Sequence, residues 1–151
     1  MRAQPERPLM SLTAVLASIL LDGALGAWLG TMAFFSFVGA PRAFAVFDDD
    51  AGAYVNDVFP RYYAVGVALG VVALLAGLGL GAVTAFDAAV LTALALIGVA
   101  LLLAAYSRWI LIPKMDAAGE DAFEAYHRQS VVLNGGMMLA VAATLVASHV
   151  A

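Results

Sequence analysis

Four long apolar runs, each close to the length of a bilayer-crossing helix, leave this chain few ways to fold. A hydrocarbon core about 30 Å thick takes roughly 20 mostly apolar residues in a helix. The runs cover about residues 10–41, 62–83, 88–112 and 129–149. The other spanning architecture, a closed barrel, needs segments of about ten residues with alternating polarity. A stretch such as AVGVALGVVALLAGLGLGAV (residues 64–83) shows no alternation. The predicted fold is therefore all-α, a four-helix transmembrane bundle in which residues 1–151 form one domain.

Composition agrees and excludes several function classes. The chain is 64% hydrophobic and 12% charged, against about 45–50% and about 25% for soluble domains. A formal net charge of −4 provides no basic footprint for phosphates, so no nucleic-acid partner is expected. With no cysteine there is no disulfide framework, thiol nucleophile, iron–sulfur cluster or thiolate zinc site. The N-terminal segment has basic residues ahead of an apolar run, as a signal peptide does. Asp22 interrupts that run and hydrophobicity continues through WLGTMAFFSFVG, so a retained signal anchor is expected.

An even number of crossings puts both termini and the short 84–88 turn on one side, and the connections 41–61 and 113–128 on the other. Arg2 and Arg7 fall on the first side; Arg42, Arg61, Arg108, Lys114 and Arg128 fall on the second. The positive-inside rule then places both long connections in the cytoplasm and the termini outside. Each connection reads as a short amphipathic helix at the membrane surface. Tyr54, Val55, Val58 and Phe59 form an apolar stripe facing away from Asp50, Asn56 and Asp57. Phe123 and Tyr126 oppose Glu120, Asp121 and Glu124. A shift of 67 residues sets Asp57, Phe59 and Arg61 over Glu124, Tyr126 and Arg128, which suggests a parallel two-hairpin repeat.

Hydrophilic residues between the leaflets are costly and call for a reason. Ser18, Asp22, Gly26 and Gly30 recur every four residues and share a helix face. That face reads either as a close-packed seam, Asp22 hydrogen-bonding a neighbour, or as a proton or cation site. Gly66 and Gly70 offer a second small-residue spacing, and such seams could also receive a second copy or another membrane partner. On the fourth span His127, Ser130, Asn134, Met137, Val141, Thr144 and Ser148 fall within roughly a 100° arc, which should face the bundle interior. His127 reads as a helix-entrance cap, a metal or haem ligand, or a proton acceptor. Asp22 precedes Pro41 by 19 residues, about 28 Å of helix, so Asp22 and His127 belong to opposite ends. The expected feature is an interior polar strip closed by Asp22 and opening at a basic, aromatic entrance formed by Arg42, Arg61, Arg108, Lys114, His127 and Arg128. Asp57 and Glu124 stand four residues before Arg61 and Arg128, so these charges read as helical ion pairs or as a site for an anionic ligand or lipid headgroup.

The segments GAWLGTMAFFSFVGAPRAF (26–44), VFPRYYAVGVALG (58–70), IPK (112–114) and FEAYHRQSVVLN (123–134) resemble the transmembrane protein 205-like family of small four-helix membrane proteins. The resemblance spans nearly the whole chain in order, with FPRYY and YHRQSVVLN its specific part. It implies recurrent positions at Gly30, Pro41, Phe59, Pro60, Tyr62, Tyr63, Pro113, His127, Ser130 and Asn134, and no defined enzymatic chemistry. A more distant likeness joins Trp28, Gly30, Pro41 and Arg42 to CopD-type copper-resistance domains and HemJ-type protoporphyrinogen oxidases. Those carry a histidine seven residues before the tryptophan, where this chain has Leu21. The expectation is a non-enzymatic membrane protein, without cofactor, that binds or moves a small amphipathic or cationic solute along the strip. The alternatives are a haem-, porphyrin- or metal-handling redox protein with His127 as ligand, or a structural subunit of a membrane complex.

Overall fold

The computed structural model describes residues 11–47, 51–118 and 120–150. Met10, Arg2, Arg7, Asp50 and Gly119 lie outside the described residues, as do the side chains of Glu120, Asp121 and Phe123. The chain begins with helix α1 (Leu12–Phe34), a π-helical turn (Phe35–Gly39) and the short α2 (Ala40–Val46). The long α3 (Ala51–Val83) follows, then α4 (Ala88–Tyr106), a second π-helical turn (Ser107–Leu111), the short α5 (Ile112–Ala117) and the long α6 (Glu120–Val150). Among the described residues, four helical stretches are long and apolar enough to cross a membrane. Helix α1 packs chiefly on α3 and α4 on α6, and α3–α4 and α1–α6 contacts close the ring. This is an integral membrane protein built as an all-α four-helix bundle. Large apolar side chains face outward on all four spans, for example Ile19, Leu75, Leu102 and Leu139, where lipid solvates them.

The turn between α3 and α4 is where the hydropathy places it. The Thr84 hydroxyl donates to the Leu80 carbonyl at 2.8 Å, and Asp87 caps α4 by accepting from the Val90 amide at 2.9 Å. At the opposite end the spans run further than expected, because proline does not stop them. A proline in an α-helix lacks its own N–H and crowds the carbonyl four residues back. Here the residue before each proline bonds five residues back, Ala40 to the Phe35 carbonyl and Ile112 to the Ser107 carbonyl. The extra residue in each π-turn lets Pro41 and Pro113 continue the helix. Helix α3 also runs through Pro60, and Arg61 donates to the Asp57 carbonyl at 2.6 Å beside the bond that proline removes. The two amphipathic stretches are helical, yet they are the first turns of α3 and α6 rather than separate surface helices. The Val55 side of the first is buried while Asn56 and Asp57 are exposed.

Trp28, Leu25, Ile97, Met137 and Val141 fill the middle of the bundle. A Cβ on Gly66 would lie 2.7 Å from Trp28 Nε1, and one on Gly70 2.7 Å from Trp28 Cζ3. The close seam is therefore the α3 glycine face holding the indole. The α1 glycines expected in a seam do the reverse: Gly26 and Gly30 point outward, and a Cβ on either meets nothing within 4 Å. The 3.6-residue period identifies a shared face but not which way it turns.

Candidate functional site

The π-turn of α1, the start of α3 and the first half of α6 converge on a cavity of about 430 Å³ at the proline end of the bundle. One wall is aromatic. The Phe35 ring stacks on Tyr62 with centroids 4.8 Å apart, and Tyr62 meets Tyr63 edge-on at 4.9 Å. Phe59 leans on Phe35 at 5.5 Å and on Tyr63 at 6.3 Å. Pairs of this kind contribute about 0.5–1.5 kcal/mol each beyond their buried area, so the wall is preformed. The rim carries Phe37, Phe44 and Val131, which are 73%, 57% and 58% exposed and turn outward from the bundle.

The polar patch on the cavity wall joins three spans through one amide. The Tyr62 hydroxyl donates to the Asn134 side-chain carbonyl, and the Asn134 amide donates to Ser36 Oγ at 2.9 Å. A weaker contact links Asn134 Nδ2 to Met138 Sδ at 3.8 Å. Asn134 thus uses both ends of its amide, the carbonyl towards Tyr62 and the nitrogen towards Ser36 and Met138. Ser130 turns its hydroxyl onto the His127 carbonyl at 2.8 Å, and His127 itself stands exposed at the cavity edge. The fully buried Ser107 hydroxyl has no hydrogen-bond partner among the described residues.

Of the residues nominated from sequence, His127, Ser130 and Asn134 line this cavity. The five basic residues do not. Arg42, Arg61, Lys114 and Arg128 are exposed, Arg108 is half-exposed on the second π-turn, and none lines the cavity. The entrance is thus aromatic and carries no Arg or Lys, whose side chains project into the surroundings of the helices rather than into the cavity. Arg61 pairs with Asp57 as the spacing suggests, while no ion pair joins Arg128 to Glu124. Ser36 had no sequence signal of its own, being a single hydroxyl between two phenylalanines.

Asp22, Ser18 and Thr144 lie elsewhere. Asp22 Oδ2 is 3.6 Å from His149 Nε2, and Asp22 Oδ1 is 3.4 Å from Ser148 Oγ, near the far end of α6. The Ser18 and Thr144 hydroxyls donate to carbonyls of their own helices, Ala14 at 3.0 Å and Ala140 at 2.9 Å. Between Asp22 and the cavity, the expected strip is interrupted by Leu25, Trp28, Met137 and Val141, all buried. The interior therefore has two separate polar ends and no continuous polar path. Leu21 is a buried core residue. Among the described residues there is no group of three or more His, Asp or Glu side chains placed to hold a metal.

Comparison with known proteins adds a family and no chemistry. The family described as "Domain of unknown function (DUF4149)" matches residues 23–124. An uncharacterized protein of Aquifex aeolicus (strain VF5) is 33% identical over 119 residues, covering 76% of this chain and 83% of that protein. No solved structure matches.

Proposed function

The chain belongs to the DUF4149 family, and on that premise we propose that its bundle binds a small amphipathic molecule in the cavity at the proline end. The single observation that carries this is the meeting of an aromatic wall with the Ser36–Asn134–Tyr62 hydrogen bonds in one preformed space. Its volume lies in the roughly 300–1,000 Å³ range of small-molecule sites, which are likewise mostly apolar with a few placed polar groups. Pro41, Phe59, Tyr62, Tyr63, His127, Ser130 and Asn134 all border it, and these are positions that carry the resemblance to the transmembrane protein 205-like family. A binding role suits the packed middle of the bundle better than passage from one face to the other.

Gly135 provides the test. It borders the cavity, and a Cβ there meets nothing within 4 Å, so a large side chain can enter the space without displacing a neighbour. Replacing a helical glycine also favours the helix by up to about 1 kcal/mol. Protein purified in nanodiscs is expected to retain a stoichiometric amphipathic molecule, recovered by extraction and mass spectrometry. Gly135→Phe is expected to lower that recovery at least about tenfold with the fold intact. Equal recovery from both proteins, or none from either, would overturn the reading.

We further propose that the connections joining α2 to α3 and α5 to α6 lie on the cytoplasmic side, supported by the basic residues around them. The absence of native cysteine makes single-cysteine labelling clean. In intact cells a membrane-impermeant maleimide should label Thr84→Cys and spare Lys114→Cys; the opposite pattern inverts the topology.

A further inference from the structure

The charge and hydrogen-bonding inventory of the cavity points to a narrower class of occupant, and we propose that it is an uncharged lipid bearing a hydroxyl or carbonyl head, admitted sideways from the bilayer. This rests on the cavity being a binding site at all. The rim residues Phe37, Phe44 and Val131 are lipid-facing, so the route in leads from hydrocarbon rather than from water. No Asp, Glu, Lys or Arg among the described residues lines the space, and its one imidazole, His127, stands exposed at the edge. An ionised headgroup drawn into it would lose its hydration without a countercharge, a penalty of several kcal/mol. An aromatic wall attracts a cation through its ring faces, but the Phe35 and Tyr62 faces are already stacked on each other. Desolvation wins, and it selects against ions of either sign.

What the wall does offer is neutral hydrogen bonding. Ser36 Oγ accepts from Asn134, and among the described residues no acceptor takes its own proton. Tyr62 Oη donates to Asn134 and keeps its lone pairs, and Asn134 Oδ1 keeps a second. One donor beside two acceptors matches a hydroxyl or an ester carbonyl, with an acyl or isoprenoid body lying against Phe59 and Val131.

The test uses the full chain in phosphatidylcholine nanodiscs with two photoreactive probes, a diacylglycerol and a phosphatidylglycerol carrying the same diazirine acyl chain. Adducts are mapped by mass spectrometry to the peptides containing residues 35–44 and 127–138. Diacylglycerol labelling is expected to exceed phosphatidylglycerol labelling by at least about tenfold, because only the second probe carries a charge to desolvate. It should fall about fivefold in Ser36→Ala, the worth of one neutral hydrogen bond, and further in Gly135→Phe. Equal labelling by both probes would mean a site for bulk acyl tails and would overturn the uncharged-head assignment, as would diacylglycerol labelling unchanged in Ser36→Ala. If the molecule co-purifying with the protein is lost in Gly135→Phe but diacylglycerol is not preferred, the binding reading stands and this one fails. If neither probe labels these peptides and nothing co-purifies, both fail.

Discussion

Trp28→Ala is expected to cost the bundle about 3–5 kcal/mol, measured by denaturant titration of helicity in mild detergent. The indole is 2% exposed and sits against the backbone of α3 at Gly66 and Gly70. It also belongs to the cluster containing Leu25, Ile97, Met137 and Val141. In a membrane the apolar surroundings give no hydrophobic drive to helix association, so close packing carries most of the stability. Truncating the ring opens a void between helices that the glycine face cannot close. Gly70→Leu alone should also destabilise, because its side chain collides with the ring. Combined with Trp28→Ala it should recover part of the loss by filling the vacated volume. A Trp28→Ala loss below about 1 kcal/mol, far under the usual range, would mean that the indole is not packed on α3.

Asn134→Leu is expected to cost about 1–3 kcal/mol, the usual penalty for stranding buried polar partners, and to do so by uncoupling three spans. The substitution keeps the volume but leaves the Tyr62 hydroxyl without its acceptor and Ser36 without its donor. Interhelical hydrogen bonds in membranes average about 0.6 kcal/mol and reach about 1.7 in double-mutant cycles. A cycle between Asn134→Leu and Tyr62→Phe should therefore give a coupling inside that window. Strictly additive losses would show that the two side chains do not bond.

Hydropathy alone made the number of spans and the 84–87 turn legible, because bilayer thickness sets the length of every apolar run. The proline end was less legible. Pro41 and Pro113 fall where the first and third apolar runs end, and whether a wider turn carries the helix past them depends on packing that no local pattern records. The candidate site was half visible. His127, Ser130 and Asn134 stand out because their spacing makes a polar stripe on an apolar helix, whereas Ser36 is one hydroxyl with no period to reveal it. The arginines and lysine drew attention as charges near a membrane, and they lie on exposed or half-exposed faces outside the cavity. The glycines show the same limit, since α1 and α3 carry similar spacings and only the α3 face holds a tryptophan.

The tightly filled waist of the molecule has an electrical consequence. Leu25, Trp28, Met137 and Val141 fill the bundle between the two polar ends, so the transmembrane voltage should fall across an apolar layer like the surrounding lipid. A neutral occupant of the kind proposed would then exchange at the proline end without moving charge through that layer.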